Sequence, residues 1–374
     1  MKNFHEFTME RWMSEWETTV DYNLSESGVH PMSLGELLEI SGTQVERLLD
    51  IEFHYPETNG LSELRETIAL QYNGATKSNV FVTVGAAEAN YLVMNSLLEA
   101  GDECCIVFPN YMQIYGIAQN LGLTTRSVQL CEEDGWRLDP AALDAAVGPK
   151  TKLIAVCNPN NPTGRILSAE EMDAVVASAE RVGAWLLSDE VYRGAERLTD
   201  EETPSFFGRY DRVLCQGSMS KAYGLAGLRL GWTVGPPDCL DRLWRRHEYT
   251  TICSTMLSNH LARIALSPAV RPQILARTRA RIRSGHDRIA SWADEVDEIQ
   301  LFESEAAAIT FCRYSTPINS TELVERLRRD KSVLVVPGDH FGLDRHLRIS
   351  FGLPHDILDE GLRRIGDTFV ELRS

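Results

Sequence analysis

Short apolar runs of strand length alternate with longer helical patterns from about residue 60 to 235, and nothing else in the chain narrows its fold as much. "NVFVTV" (79–84) precedes the helical "AEANYLVMNSLLEA", and "CCIVF" (104–108) precedes "MQIYGIAQNLG". "TKLIAVC" (151–157), "GAWLLSD" (183–189) and "DRVLCQG" (211–217) follow, with the helical "AEEMDAVVASAERVG" between the first two. Runs this apolar suit strands covered on both faces, and strands alternating with helices predict a mainly parallel α/β sheet. Such a sheet receives its ligand beyond the carboxyl ends of its strands. After residue 240 the texture changes to Arg-rich helices over 241–294, then to the strand-like "AAAITFCRY", "VLVVPG" and "HLRISFG". The chain therefore divides, in expectation, into a large α/β domain over 45–265 and a smaller α+β domain built from 1–44 and 266–374.

Charge and cysteine usage remove several function classes. The net charge is −17, which repels a phosphate backbone and argues against nucleic-acid binding. None of the eight cysteines forms a CxxC pair, so buried thiols are expected rather than disulfides or a metal site, in a reducing, cytoplasmic compartment. No apolar run reaches the roughly 18 residues of a membrane span. "MKNFHEFTMERWMSEWE" is amphipathic and acidic, unlike a signal peptide, and its Trp12/Trp16 pair has the spacing of a helix packed on the body.

Three of the five candidate strands end in polar clusters: "NPNNPTG" (158–164), "SDEVY" (188–192) and "GSMSK" (217–221). Each has a plain structural reading: a turn, a helix cap, a surface lysine. Together, in this order and at one sheet edge, they describe a site. The set resembles the class I/II aminotransferases, fold type I enzymes that use pyridoxal 5'-phosphate (PLP). Besides those three clusters it includes "YPETNGLSELRETIA" (55–69), "VTVGAAEAN" (82–90), "FPNYMQIY" (108–115), "SMSKAYGLAGLRLGW" (218–232) and "LRISFG" (347–352).

The resemblance implies a role for each matching residue. Lys221 forms the Schiff base with the cofactor aldehyde and then moves the α-proton, through an external aldimine and a quinonoid; a depressed lysine pKa serves both tasks. Asp189 faces the pyridine nitrogen, Asn161 and Tyr192 the phenolic oxygen, and Tyr111 stacks on the ring. Ala86 and Ala87 offer amides at a helix N-terminus to the phosphate, with Ser218, Ser220 and Arg229 completing the cradle. Tyr55 reaches the phosphate of a neighbouring subunit, which implies a homodimer with shared active sites. Arg348 grips the substrate α-carboxylate. His340 and His346 lie near Arg348 in sequence and can equally be solvated loop residues.

Two segments depart from the family. "NLSESGVHPMSLGELL" (23–38) replaces the usual entry segment and is similar to the capreomycidine synthase subgroup, whose members cyclise their substrate by elimination and internal addition. There Gly28 offers backbone to the substrate, while Glu26 and His30 are the expected contacts to a polar or cationic side chain. "ESEAAAITF" (303–311) departs where a substrate loop is usual. The expected activity is amino-acid transamination with small amino and oxo acids; β-elimination, replacement or cyclisation on the same fold is the alternative. A ligand-sensing domain of a transcription factor is disfavoured, because "YPETNG" begins at residue 55 with no basic domain before it. A dead scaffold is disfavoured because every cofactor position matches.

Overall fold

The computed structural model describes residues 4–373; residues 1–3 of the expected smaller domain, and residue 374, lie outside them. A seven-stranded sheet runs in the order Val80–Thr83, Gly231–Val234, Val213–Ser218, Trp185–Asp189, Thr151–Cys157, Glu103–Phe108, Thr124–Gln129. Every strand but Gly231–Val234 points the same way. The apolar runs explain it. Alternate residues of each strand face opposite sides: Ile154, Val156, Leu186 and Cys215 enter one core cluster, and Leu153, Ala155, Leu187 and Leu214 enter the other. Each such leucine, isoleucine or valine, fully buried, contributes about 1.5–3 kcal/mol, so a charge at Leu187 would break the sheet from within.

Two strands fall outside the expected set. Thr124–Gln129 is an edge strand, largely exposed, whose polar side chains hide it. Gly231–Val234 is buried, but it lies in the glycine-rich stretch after Lys221 that reads as loop and site.

The C-terminal strands form a second, antiparallel sheet in the order Val336–Pro337, His346–Ser350, Ile309–Tyr314, Ile299–Gln300. The N-terminal segment joins this part of the molecule: Tyr22–Asn23 pairs in parallel with Val333–Leu334. The helix Thr8–Trp16 is held there by its tryptophans, as their spacing predicts. Trp12 donates to the Val335 carbonyl at 3.3 Å, and the Arg328 guanidinium lies 3.8 Å over the Trp16 ring. The long helix Arg271–Glu295 ties the N-terminal segment to the loop after Val213–Ser218, donating from Thr278 to the Ala222 carbonyl and pairing Arg277 with Glu36.

Candidate active site

The parallel strands bring their carboxyl ends to one edge. Register places Cys157, Asp189 and Gln216 in one row, so the loops that follow them, with Asn161, Tyr192 and Lys221, emerge side by side. A cavity of 320 Å³ opens at that edge. Twelve predicted residues line it: Ala86, Ala87, Tyr111, Asn161, Asp189, Tyr192, Ser218, Ser220, Lys221, Arg229, Arg348 and Glu26.

One end is built for an anion. The helix Gly85–Leu97 begins there, presenting its first amides. Ser218 and Ser220 hydroxyls lie 2.9 Å apart, and Arg229 reaches to within 3.5 Å of Ser220. The packing leaves no room for side chains on the backbone: a Cβ on Gly85 would meet Arg229 at 2.8 Å, and one on Gly231 would meet the Ala86 nitrogen at 2.5 Å. Arg229 itself adopts a left-handed backbone, φ 45°, to turn its guanidinium into the site.

The middle brings together a buried carboxylate, a buried phenol and a lysine amine. Asp189 is 3% exposed, and burial pushes its carboxyl up to about 6, against hydrogen bonds from the Val191 amide and Asn90. Tyr192 is buried beside it, hydrogen-bonded by Ser27, and burial raises its hydroxyl. Lys221 is half-buried, and no hydrogen bond engages its amine among the described residues. Burial lowers its pKa; Glu26 pulls it back up, and Arg348 and Arg229 push it down.

At the far end Arg348, 1% exposed, donates from Nη1 to Asn161 Oδ1 at 3.1 Å and from Nη2 to the Ser25 carbonyl at 2.6 Å. The Met9 and Met13 sulfurs flank it at 3.7 Å, and its buried Nε has no partner among the described residues. Donors remain for a carboxylate.

These residues fit pyridoxal phosphate. The anion cradle offers helix amides, two hydroxyls and a guanidinium, the buried Asp189 carboxylate wants a cation, and the Lys221 amine is unengaged. When bound, the cofactor supplies an aldehyde for an amine and a ring that accepts electrons. Ala86, Ala87, Ser218, Ser220 and Arg229 would hold its phosphate, Asp189 its ring nitrogen, Asn161 and Tyr192 its phenolic oxygen, and Tyr111 its face.

Some expectations fail. His30 is exposed and outside the cavity, its backbone amide bonded to Gly352 and its ring near Arg277 and Arg281. Gly28 packs against the Lys221 stem, where a Cβ would lie 3.6 Å from Cδ, and does not line the cavity. Tyr55, expected to serve a neighbouring subunit, is not among these: it is 78% exposed and outside its own chain's cavity. "ESEAAA" lines nothing in the cavity: Glu305 pairs with Arg165, and Ala307 packs on Tyr192. His340 sits against Trp12 in a neighbouring cavity, and His346 is stacked on Phe311.

Sequence reasoning also missed residues. Glu10, Met13 and Glu17 of the N-terminal segment line the cavity, as do Ser27 and Asn90. Glu10 accepts from the Tyr111 hydroxyl at 2.8 Å. The available signal was spacing: 10, 13 and 17 share one helical face, while Trp12 and Trp16 occupy another. Glu17 is pushed above the usual carboxylate range by burial, then by Glu26 and Glu10. Glu10, Glu17 and Glu26 form no ion pair with a basic side chain among the described residues, although Lys221 and Arg348 act on them across the cavity.

Residues 49–365 match the family described as aminotransferase class I and II. Capreomycidine synthase of Streptomyces vinaceus is 30% identical over 369 residues, covering 96% of this chain and 92% of that protein. An aspartate aminotransferase of Streptomyces avermitilis is 28% identical, with 88% and 85% covered. Among solved structures, a PLP-dependent aminotransferase from Streptococcus suis superposes with a TM-score of 0.93 at 29% identity, covering 100% of this chain and 99% of that one. The PLP-dependent cyclase OrfR superposes with a TM-score of 0.89 at 25% identity, with 99% and 98% covered.

Proposed function

Because the chain belongs to the class I and II aminotransferase family and is a PLP-dependent enzyme, we propose that it transaminates an amino acid with Lys221 as the group that moves the α-proton. The observation that carries this is the convergence of Lys221, Asp189 and Arg348 on one cavity whose other end is an anion cradle. Arg348 fixes the substrate by its α-carboxylate and so sets which Cα bond faces Lys221. The lysine is suited to take the proton from Cα because its amine is unengaged and its pKa is lowered by burial. Asn161 holds Arg348 in place, and Tyr192 with Ser27 closes the side of the cavity.

The substrate side chain points, in this reading, toward Glu26, and with it Glu10 and Glu17. Three carboxylates without an ion pair, with Lys221 and Arg348 committed to the α-proton and the α-carboxylate, favour a cationic or strongly polar side chain and disfavour a second carboxylate. His30 takes no part. A second reading, elimination or cyclisation, is favoured by the likeness to capreomycidine synthase and to OrfR, since the first step at Cα is common to both fates.

The chain is read as two domains, 45–265 and 1–44 with 266–374. Assembly into a homodimer is read from Tyr55, exposed beside the exposed Phe53 and Leu49, which would serve the partner's phosphate site. Eight free thiols suit a reducing, cytoplasmic setting. No helix among the described residues is long and apolar enough to cross a membrane.

The test is spectroscopic. Purified protein should carry a visible PLP band that borohydride fixes covalently to the chain, and in Lys221→Ala borohydride should fix none. With an amino acid and an oxo-acid acceptor, stoichiometric exchange of the amino group supports transamination. Ammonia and an oxo acid released without an acceptor, or a cyclised amino acid that keeps its amino group, support the second reading instead. A protein that takes up no PLP overturns both.

A further inference from the structure

The phosphate-binding turn is gripped from two sides. On the cavity side Arg229 and Gly231 press against Gly85 and Ala86. On the opposite side the helix carries a carboxylate in its own first turn, Glu88. A negative charge there should repel a phosphate on the same helix end, so its presence needs a physical reason.

Four donors converge on that carboxylate. Oε2 accepts from the Val84 amide at 2.7 Å and lies 3.2 Å from His247 Nε2; Oε1 accepts from the Thr250 hydroxyl at 2.6 Å and the Thr251 hydroxyl at 2.7 Å. His247 is fully buried, edge-on to Phe81, with no partner at Nδ1 among the described residues. A buried acceptor is left unmade at lower cost than a buried donor, which puts the imidazole proton on Nε2, facing Glu88. These bonds overcome burial and hold the Glu88 carboxyl down at about 2.

Val84 is the residue before Gly85, whose left-handed φ of 77° swings the chain from the strand Val80–Thr83 into the helix. Its amide points away from the anion cradle, into Glu88. We infer that Glu88, braced by His247, Thr250 and Thr251, is a positioning residue for the phosphate-binding turn, fixing the aim of the Ala86 and Ala87 amides. The inference rests on the reading that those amides receive the phosphate. The hydrogen bonds absorb the carboxylate's charge on its far side, and the rigidity they give the turn outweighs the remaining repulsion.

The experiment compares cofactor affinities of holoenzyme preparations of wild type and Glu88→Gln, re-equilibrated with PLP or with pyridoxal, which lacks the phosphate. Wild type should bind PLP far more tightly than pyridoxal; equal affinity would overturn the phosphate reading itself. Glu88→Gln keeps the shape and one acceptor but cannot satisfy all four donors. Its PLP affinity should fall about tenfold while pyridoxal affinity stays within about twofold. The double variant Thr250→Val/Thr251→Val should move PLP affinity in the same direction by less. Tighter PLP binding in Glu88→Gln, an unchanged ratio, or an equal fall for both ligands would overturn the role of Glu88 and leave the phosphate reading standing.

Discussion

The two walls of the cavity are made differently. The cofactor wall grows from strand ends: Asp189, Asn161 and Ser218 are each under 5% exposed, each is fixed by the sheet behind it, and opposite charges alternate along it. The opposite wall grows from the helix Thr8–Trp16 and the segment after Tyr22–Asn23, held by side-chain packing and one short parallel pairing. It carries three carboxylates, and of these Glu17 is raised by burial and then by Glu26 and Glu10. A wall backed by a sheet can be preorganised for one unvarying ligand, whereas a helix resting on side chains can change its charge without disturbing the fold.

If that contrast holds, damage to the sheet wall stops the chemistry and damage to the helix wall changes selection. Lys221→Ala should lower turnover at least about 10³-fold, with the protein still holding PLP through the cradle but none fixed by borohydride in mass spectra. Arg348→Lys, at the seam of the two walls, should raise KM about 100-fold with a smaller change in kcat, since a lysine cannot make the forked contact. Glu10→Gln/Glu17→Gln should leave PLP binding intact and cut the preference for a cationic over a neutral side chain about tenfold in kcat/KM. An unchanged preference would sink the assignment of that wall.

Acidity separates the walls again. Without cofactor, burial favours neutral Asp189, so its ionisation between pH 3.8 and about 6 costs stability that a bound ring cation offsets. The gain in melting temperature on adding PLP should therefore grow as pH rises through about 6, and that part of the growth should vanish in Asp189→Asn. Phosphate titration is common to both proteins and cancels in the difference. The smallest effect belongs to Trp16→Ala, which removes the ring under Arg328 and should cost about 1 kcal/mol in stability with turnover nearly unchanged.

Most of the sheet was legible because its inner strands are apolar on both faces, a pattern helices in surface layers do not show. Thr124–Gln129 was not, since an edge strand covered on one face looks like any polar segment. In the site, the strand-end clusters were legible because each functional residue sits within a few positions of the turn that delivers it. His30 and Glu26 stood equal in sequence, four residues apart in a segment without periodicity. Only the chain's return past Gly352 and Arg277 turns His30 outward and leaves Glu26 at the cavity edge. "ESEAAA" departs from the family where a substrate loop is usual, and the close approach of Gly164 to Ser304 and Ala306 makes it packing for the neighbouring turn.

The sequence by itself determined the α/β sheet and the polar clusters at its strand ends, because hydrophobic period and turn chemistry encode them within short windows; the resemblance to the aminotransferases then singled out Lys221, Arg348 and the residues of the anion cradle. The tertiary structure alone decided which face of the N-terminal helix meets the cavity, and hence that Glu10 and Glu17 join Glu26 there. A helix with tryptophans on one face and carboxylates on another can be docked only when its partner surface exists. Here that surface is Val335, Arg328 and Arg348, more than 300 residues further along the chain.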